Sequence, residues 1–347
     1  MRSLVGSLIL LMLTGCQPFS EPESMMEEYV ERVARVFDQP AELSPLPVTG
    51  LFPRRRDRRL PMPELDLSML DFLSLYGCDL QHVVGERNSG LGRVMQPLNQ
   101  LRYELKFIHA ADDCIGTLED DPSLREAVVF ARHSKVTTLP IAVWNASWGV
   151  EEIEPLFTRT EGALPVTVSV ADISDLEVDV RLLVQRLGEL RKGKLDTDFG
   201  FLGEVHQRWQ AEDRMGQLIK SGQLLVTRLN DAADIIEHRL AARPVCLNGQ
   251  PNNQAEIARS MFFAVYAGKV QPYIATVTRI RQHLLPGFHE LGATQRNVMP
   301  AAFEGYFNRY LTEAGENSLW QQLDQAIERH TRLWQDVLGQ CGMRPGA

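Results

Sequence analysis

The stretch Trp320 to Cys341, WQQLDQAIERHTRLWQDVLGQC, decides the fold class, because Trp320, Leu323, Ile327, His330, Trp334, Val337 and Cys341 recur at steps of 3, 4, 3, 4, 3 and 4. Side chains three and four apart share one face of an α-helix, so the spacing predicts a helix with a single buried seam. His330 falls on that seam and reads as a core imidazole with one hydrogen bond. Upstream, Met215, Ile219, Val226, Leu229, Ala233, Ile236 and Leu240 keep the same register, with Gly222 in the gap. Leu176, Val180, Leu183, Leu187 and Leu190 alternate at steps of 4 and 3. Repeated seams of this kind predict long helices packed antiparallel.

Toward the N-terminus the pattern shortens. Ser24 and Glu27 form a capping box ahead of Met26, Tyr29, Val30, Val33 and Phe37, predicting a helix that stops near Asp38 because Pro40 follows. The Pro-rich stretch from Ala41 to Pro63 is expected to be extended. Helices are expected at 66–77, 79–87, 93–118 and 122–136, with Asp121-Pro122 a good helix start. Thr137 to Trp144 and Leu164 to Val170 are β-like, as strands or as extended linkers. The fold class expected is all-α: a bundle of short helices over 25–165 packed on a bundle of long, heptad-patterned helices over 166–347.

The first residues carry an address. Arg2 precedes the ten-residue apolar run Leu4 to Leu13, which as a helix would rise about 15 Å, half a bilayer's hydrocarbon thickness. That is the form of a signal-peptide core. Leu13-Thr14-Gly15-Cys16 then resembles the lipobox of bacterial lipoproteins, with Cys16 supplying the thiol that takes the diacylglycerol. The expected division is a signal peptide over 1–15 and a lipid-anchored tether over 16–24. Gln17, rather than Asp, at the second mature position points by the enteric sorting rule to the periplasmic face of the outer membrane. The membrane is therefore an expected partner through the acyl anchor. A net charge of −9 argues against nucleic acid as a partner.

Four cysteines remain, an even number suited to an oxidising compartment. Of the three pairings open to them, chain geometry favours Cys78 with Cys114 and Cys246 with Cys341, each within one expected half.

Three local motifs stand out. Arg54, Arg55, Arg56, Arg58 and Arg59 surround Asp57. They suit either anionic headgroups or intramolecular pairing with acids such as Glu27 and Glu28. Gly85 to Gly92, GERNSGLG, joins two expected helices, and Arg87, Asn88 and Ser89 there either simply turn the chain or cradle an anion. Trp144-Asn145-Ala146-Ser147-Trp148 reads as a cap on the core or as a sugar-binding surface. No HExxH, GxSxG, SxxK or GxGxxG occurs. His109 with Asp112 and Asp113, and His283 with His289 and Glu290, are incomplete as ligand sets, so neither metal nor cofactor is expected.

With the lipobox, Phe52-Pro53-Arg54-Arg55-Arg56, Leu70-Asp71-Phe72-Leu73, Glu86-Arg87-Asn88-Ser89, Tyr103-Glu104 and Trp144-Asn145-Ala146 in view, the chain resembles an uncharacterised family of gammaproteobacterial envelope lipoproteins, a domain-of-unknown-function family. The resemblance covers nearly the whole mature chain, implies an α-helical lipoprotein and brings no activity with it. Three functions follow as expectations. The first is a non-catalytic interaction or scaffold module with an envelope protein partner. The second is an enzyme acting on peptidoglycan or lipid, with a dispersed site near Arg87, Asn88, Tyr103, Glu104 and Asn145. The third is a small-ligand carrier with its pocket between the two halves. Arg87, Asn88, Ser89, Tyr103, Glu104, Trp144 and Asn145 are the candidate binding residues.

Overall fold

The heptad seams become the spine of the molecule. The computed structural model describes residues 21–63, 77–88, 95–160 and 162–343. Cys16, Gln17, Ser89, most of the helix expected at 66–77 and the helix start expected near Arg93 lie outside them. Among the described residues every regular element is helical, which is the all-α class expected, and no helix is long and apolar enough to cross a membrane.

The elements run α1 (Glu21–Phe37), α2 (Arg55–Arg58), α3 (Asp79–Asn88), α4 (Pro97–Ile115), α5 (Pro122–Ser147), α6 (Glu154–Thr158), α7 (Ser174–Arg191), α8 (Leu202–Ala211), α9 (Arg214–Ala242), α10 (Asn253–Met261), α11 (Gln271–Ala293), α12 (Ala301–Tyr310) and α13 (Leu319–Gln340). The 29-residue α9 lies along α13, and α1 packs across α9 and α10. Against the antiparallel expectation α9 and α13 run parallel, since Gly222 abuts Leu319 and Trp320, Arg329 reaches Asn230 and Asp234, and Cys246 and Cys341 join at the C-terminal ends of both. Along α13 the seam is buried at Trp320, Leu323, His330, Trp334, Val337 and Cys341, with Ile327 at its edge. Between α10 and α11 the helix continues through Phe262–Val270 in π geometry, setting Phe262 5.0 Å from Trp334 and Tyr266 4.7 Å from His330 between ring centres.

One apolar core runs from Met26 to Cys341 and takes in residues on both sides of 165. A smaller cluster, including Leu80, Phe107 and Val128, lies among α3, α4 and the start of α5. The disulfide Cys78–Cys114 joins α4 to the residue before α3 in that cluster, and Cys246–Cys341 ties the segment after α9 to the end of α13. Their Cα separations of 5.5 and 5.2 Å are ordinary for a disulfide.

Two local expectations need correction, and a third resolves between its alternatives. The first helix is already formed at Glu21, the first described residue, so Ser24 sits inside it and caps nothing. Thr137 to Trp144 belongs to α5, a 26-residue helix with Pro140 in its interior. The segment reads as β-like because Ala142 to Val150 is buried on every side, which erases the helical period. Leu164 to Val170 takes the linker alternative, as an irregular approach to a 3₁₀ turn (Val170–Ile173). Its backbone is served by side chains: Ser221 Oγ accepts from Leu164 N at 2.8 Å, and Tyr273 donates to the Leu164 carbonyl at 3.1 Å.

The Pro-rich stretch is extended as expected, apart from the single turn of α2. It straps the outside of the bundle. Ser44 N donates to Asp231 and Arg228 donates to Ser44 O on α9; Thr49 donates to Gln223, and Gly50 N to the Tyr310 hydroxyl on α12.

Candidate functional site

Two motifs that look unrelated in the chain meet in space. Arg58 is fully buried. Its Nε donates to Pro53 O at 2.7 Å, its Nη1 to the carbonyls of Trp148 and Val150, and its Nη2 to the Glu154 carboxylate at 2.6 Å. The guanidinium lies 4.6 Å from the centre of the Phe52 ring. Burial pulls its pKa below the ordinary arginine value, and Glu154 opposes that pull. In return Trp144 Nε1 donates to Arg58 O at 2.7 Å, while Asn145 accepts from Leu60 N and donates to Leu60 O, both at 2.8 Å. Asn145 thus gives the strap the pair of bonds that a neighbouring strand would give.

The sugar-surface reading of the Trp pair is therefore overturned. Trp144 and Trp148 are fully buried among Phe157, Phe288 and Phe303. The intramolecular reading of the arginines holds with other partners. Arg55 pairs with Glu151 and Arg58 with Glu154, whereas Glu27 faces Arg228 and Glu28 faces Arg32 and Lys269.

The remaining candidates gather beside this clamp. Arg87 and Asn145 line one cavity of about 170 Å³ together with Arg59 and Gln100. Glu104 lies beneath it, fully buried, accepting from Gln100 and paired with Lys135 Nζ at 2.9 Å. Lys135 also sits 5.0 and 5.4 Å from the ring centres of Tyr103 and Phe107, and Arg87 is 6.0 Å from that of Tyr103. Burial, with Glu104 adjacent, pushes the Tyr103 phenol well above its ordinary value. Tyr103 and Trp144 do not line the cavity; the Asn88 side chain and Ser89 lie outside the described residues. The carboxylate of Glu104 is neutralised by Lys135 and reaches no solvent, so the pair fastens α4 to α5.

Four histidines are engaged in the same structural way. His109 donates to Leu195 O at 3.0 Å, His289 to Leu311 O at 2.9 Å, and His283 contacts Glu177 at 3.0 Å. His330 accepts from the Tyr29 hydroxyl at 2.6 Å, and that oxygen accepts from Trp334 Nε1 at 2.9 Å. Burial lowers His330 to a pKa of about 3, so the ring is neutral.

A larger cavity was not among the sequence candidates. A trough of about 670 Å³ opens between α5 and the C-terminal ends of α7 and α11. Val136, Leu139, Pro140 and Val143 form one wall; Leu187, Leu190 and Leu195 face them. The one buried polar side chain lining it, Gln295, is engaged inside the protein, donating to Leu291 O and Ser147 Oγ, and Ser147 in turn donates to Val143 O. Exposed Arg191, Arg296 and Asn297 stand at the mouth. Pro140 sits inside the helix and offers no N–H to the carbonyl four residues before it. The lip is rigidly turned: Gly193 takes φ +81°, Gly193 N donates to Leu190 O at 2.9 Å and Lys194 N to Glu189 O at 3.1 Å. The one signal in the sequence is Pro140, a proline that neither ends nor begins the helix around it.

A family model described as a protein of unknown function (DUF3080) matches residues 26–345. No curated protein and no solved structure matches the chain.

Proposed function

We propose, for a chain that belongs to the DUF3080 family, a lipid-anchored module on the periplasmic face of the outer membrane that works by binding and not by catalysis. The signal-like run and the Leu13-Thr14-Gly15-Cys16 box support the anchor, and the absence of Asp at position 17 supports the outer membrane over the inner. The observation that carries the binding reading is the apolar trough. Its volume falls within the roughly 300–1,000 Å³ of small-ligand pockets. Its one buried polar side chain, Gln295, is already paired within the protein, so the interior favours an apolar occupant. By contrast the titratable cluster at Glu104 and Lys135 is closed and internally neutralised.

The trough lies between α5, from the N-terminal half, and α7 and α11, from the C-terminal half, the position expected of a carrier. Native mass spectrometry of the intact protein taken from its own membrane tests the reading. A bound small molecule should be present in the wild type and lost in Val136→Trp, which fills the trough from a half-buried wall position. Identical spectra for the two proteins refute a binding role for the trough.

A further inference from the structure

The trough has chemistry at its mouth as well as along its walls. Its walls are aliphatic over Val136, Leu139, Val143, Leu187 and Leu190, while the charged side chains lining it, Arg191 and Arg296, are both cationic and exposed. Arg191 ends α7 and makes no ion pair among the described residues; Lys192 and Lys194 continue the same lip. Arg296 is steadied 5.5 Å from the Phe307 ring centre, with its Nη2 3.3 Å from both Glu304 and Asn308. A guanidinium held by one nitrogen retains further N–H donors for an incoming anion. The overall charge of −9 makes a local cationic rim an exception.

Apolar walls, an already paired Gln295 and a cationic mouth describe one kind of molecule. Resting on the binding reading above, we propose that the trough takes a long-chain fatty acid, with its chain along α5 and α7 and its carboxylate at Arg191 and Arg296. The chain needs only apolar contact, which the aliphatic walls supply without leaving a donor unpaired. A charge-assisted hydrogen bond to the carboxylate then sets which end faces out.

The test uses the full-length protein, reconstituted in lipid nanodiscs, with a photoreactive, alkyne-tagged palmitate as probe and peptide mapping as readout. Labelling is expected on the peptides spanning 136–143 and 187–195. Arg191→Glu with Arg296→Glu, a pair of surface changes that leaves the core intact, should reduce labelling more than tenfold, since losing even one of the two charged hydrogen bonds is worth about tenfold. Val136→Trp should reduce it at least as much, with circular dichroism showing that both variants are folded. The same probe ending in an alcohol should label the trough about tenfold less. Equal labelling by acid and alcohol overturns the fatty-acid assignment while leaving the binding reading standing. Labelling by neither probe likewise overturns the fatty-acid assignment alone, whereas labelling unchanged in Val136→Trp overturns both.

Discussion

Arg58→Met should destabilise the protein far more than Arg56→Ala, although the two arginines lie two residues apart in one basic run. Arg58 is fully buried and donates to three carbonyls, those of Pro53, Trp148 and Val150, as well as to Glu154. Methionine replaces much of the stem volume but none of the donors. Removing one member of a buried pair, with the acceptors it leaves unpaired, costs about 3–5 kcal/mol. Glu154, at 34 % exposure, recovers solvation, and the variant no longer has to bury a guanidinium. The net expectation is about 3 kcal/mol. Arg56, at 75 % exposure with only Asp57 near it, should cost less than about 0.5 kcal/mol. Urea titration of the two variants beside the wild type reads both numbers, and a melting curve should move by roughly 5–10 °C for Arg58→Met. If the two substitutions have equal small effects, the strap is not held by Arg58 and the structural reading of the basic run fails.

Cys16→Ser should abolish palmitate labelling and leave an uncleaved precursor, and normal labelling would exclude the anchor. Gln17→Asp should shift the protein toward the inner membrane in a density gradient; unchanged fractionation would remove the support for outer-membrane sorting. Peptide mapping without reduction should recover Cys78 linked to Cys114 and Cys246 linked to Cys341, and replacing either pair with alanines should cost on the order of 3–5 kcal/mol, less any effect of residual structure in the unfolded chain. His330 bears on acid stability. Its folded pKa of about 3 lies below the ordinary value of 6.5, so between those limits the unfolded chain binds the extra proton and stability falls as the pH falls. Over that window the loss is on the order of 4 kcal/mol, with buried His206 acting in the same direction. His330→Gln should flatten the slope of unfolding free energy between about pH 6.5 and 3, and an unaltered slope would mean that the ring is charged in the folded protein.

The legible and illegible parts of the molecule differ for a physical reason. The seam of α13 is legible because one face is buried and the other solvated, so burial writes a period into the residues. The end of α5 is not, because Ala142 to Val150 is enclosed on all sides and no polar face remains to mark the turns. The same enclosure makes Trp144 and Trp148 look like exposed aromatics flanking a polar pair. Asn145 and Ser147 are buried polar groups whose partners, Leu60 and Gln295, are 85 and 148 residues away. The cysteine pairing is legible because two long helices must end on one side of a bundle. Arg87 and Asn145 line one cavity, yet Glu104 is a fastening, since its carboxylate is held by Lys135 from α5, a pairing across two helices that neither helix's own period points to. The trough is the least legible feature. Its walls are built from leucines and valines that any core contains, and only their meeting at the ends of three helices makes a cavity.

The central claim is that this family member acts by holding a ligand in the trough between α5, α7 and α11. The most direct measurement is an experimental structure of the intact protein extracted from its own membrane in a mild detergent and kept free of added lipid. Elongated density along Val136, Leu139, Leu187 and Leu190, ending near Arg191 and Arg296, is the predicted result. An empty trough, with density instead in the cavity of Arg59, Arg87, Gln100 and Asn145, would contradict it.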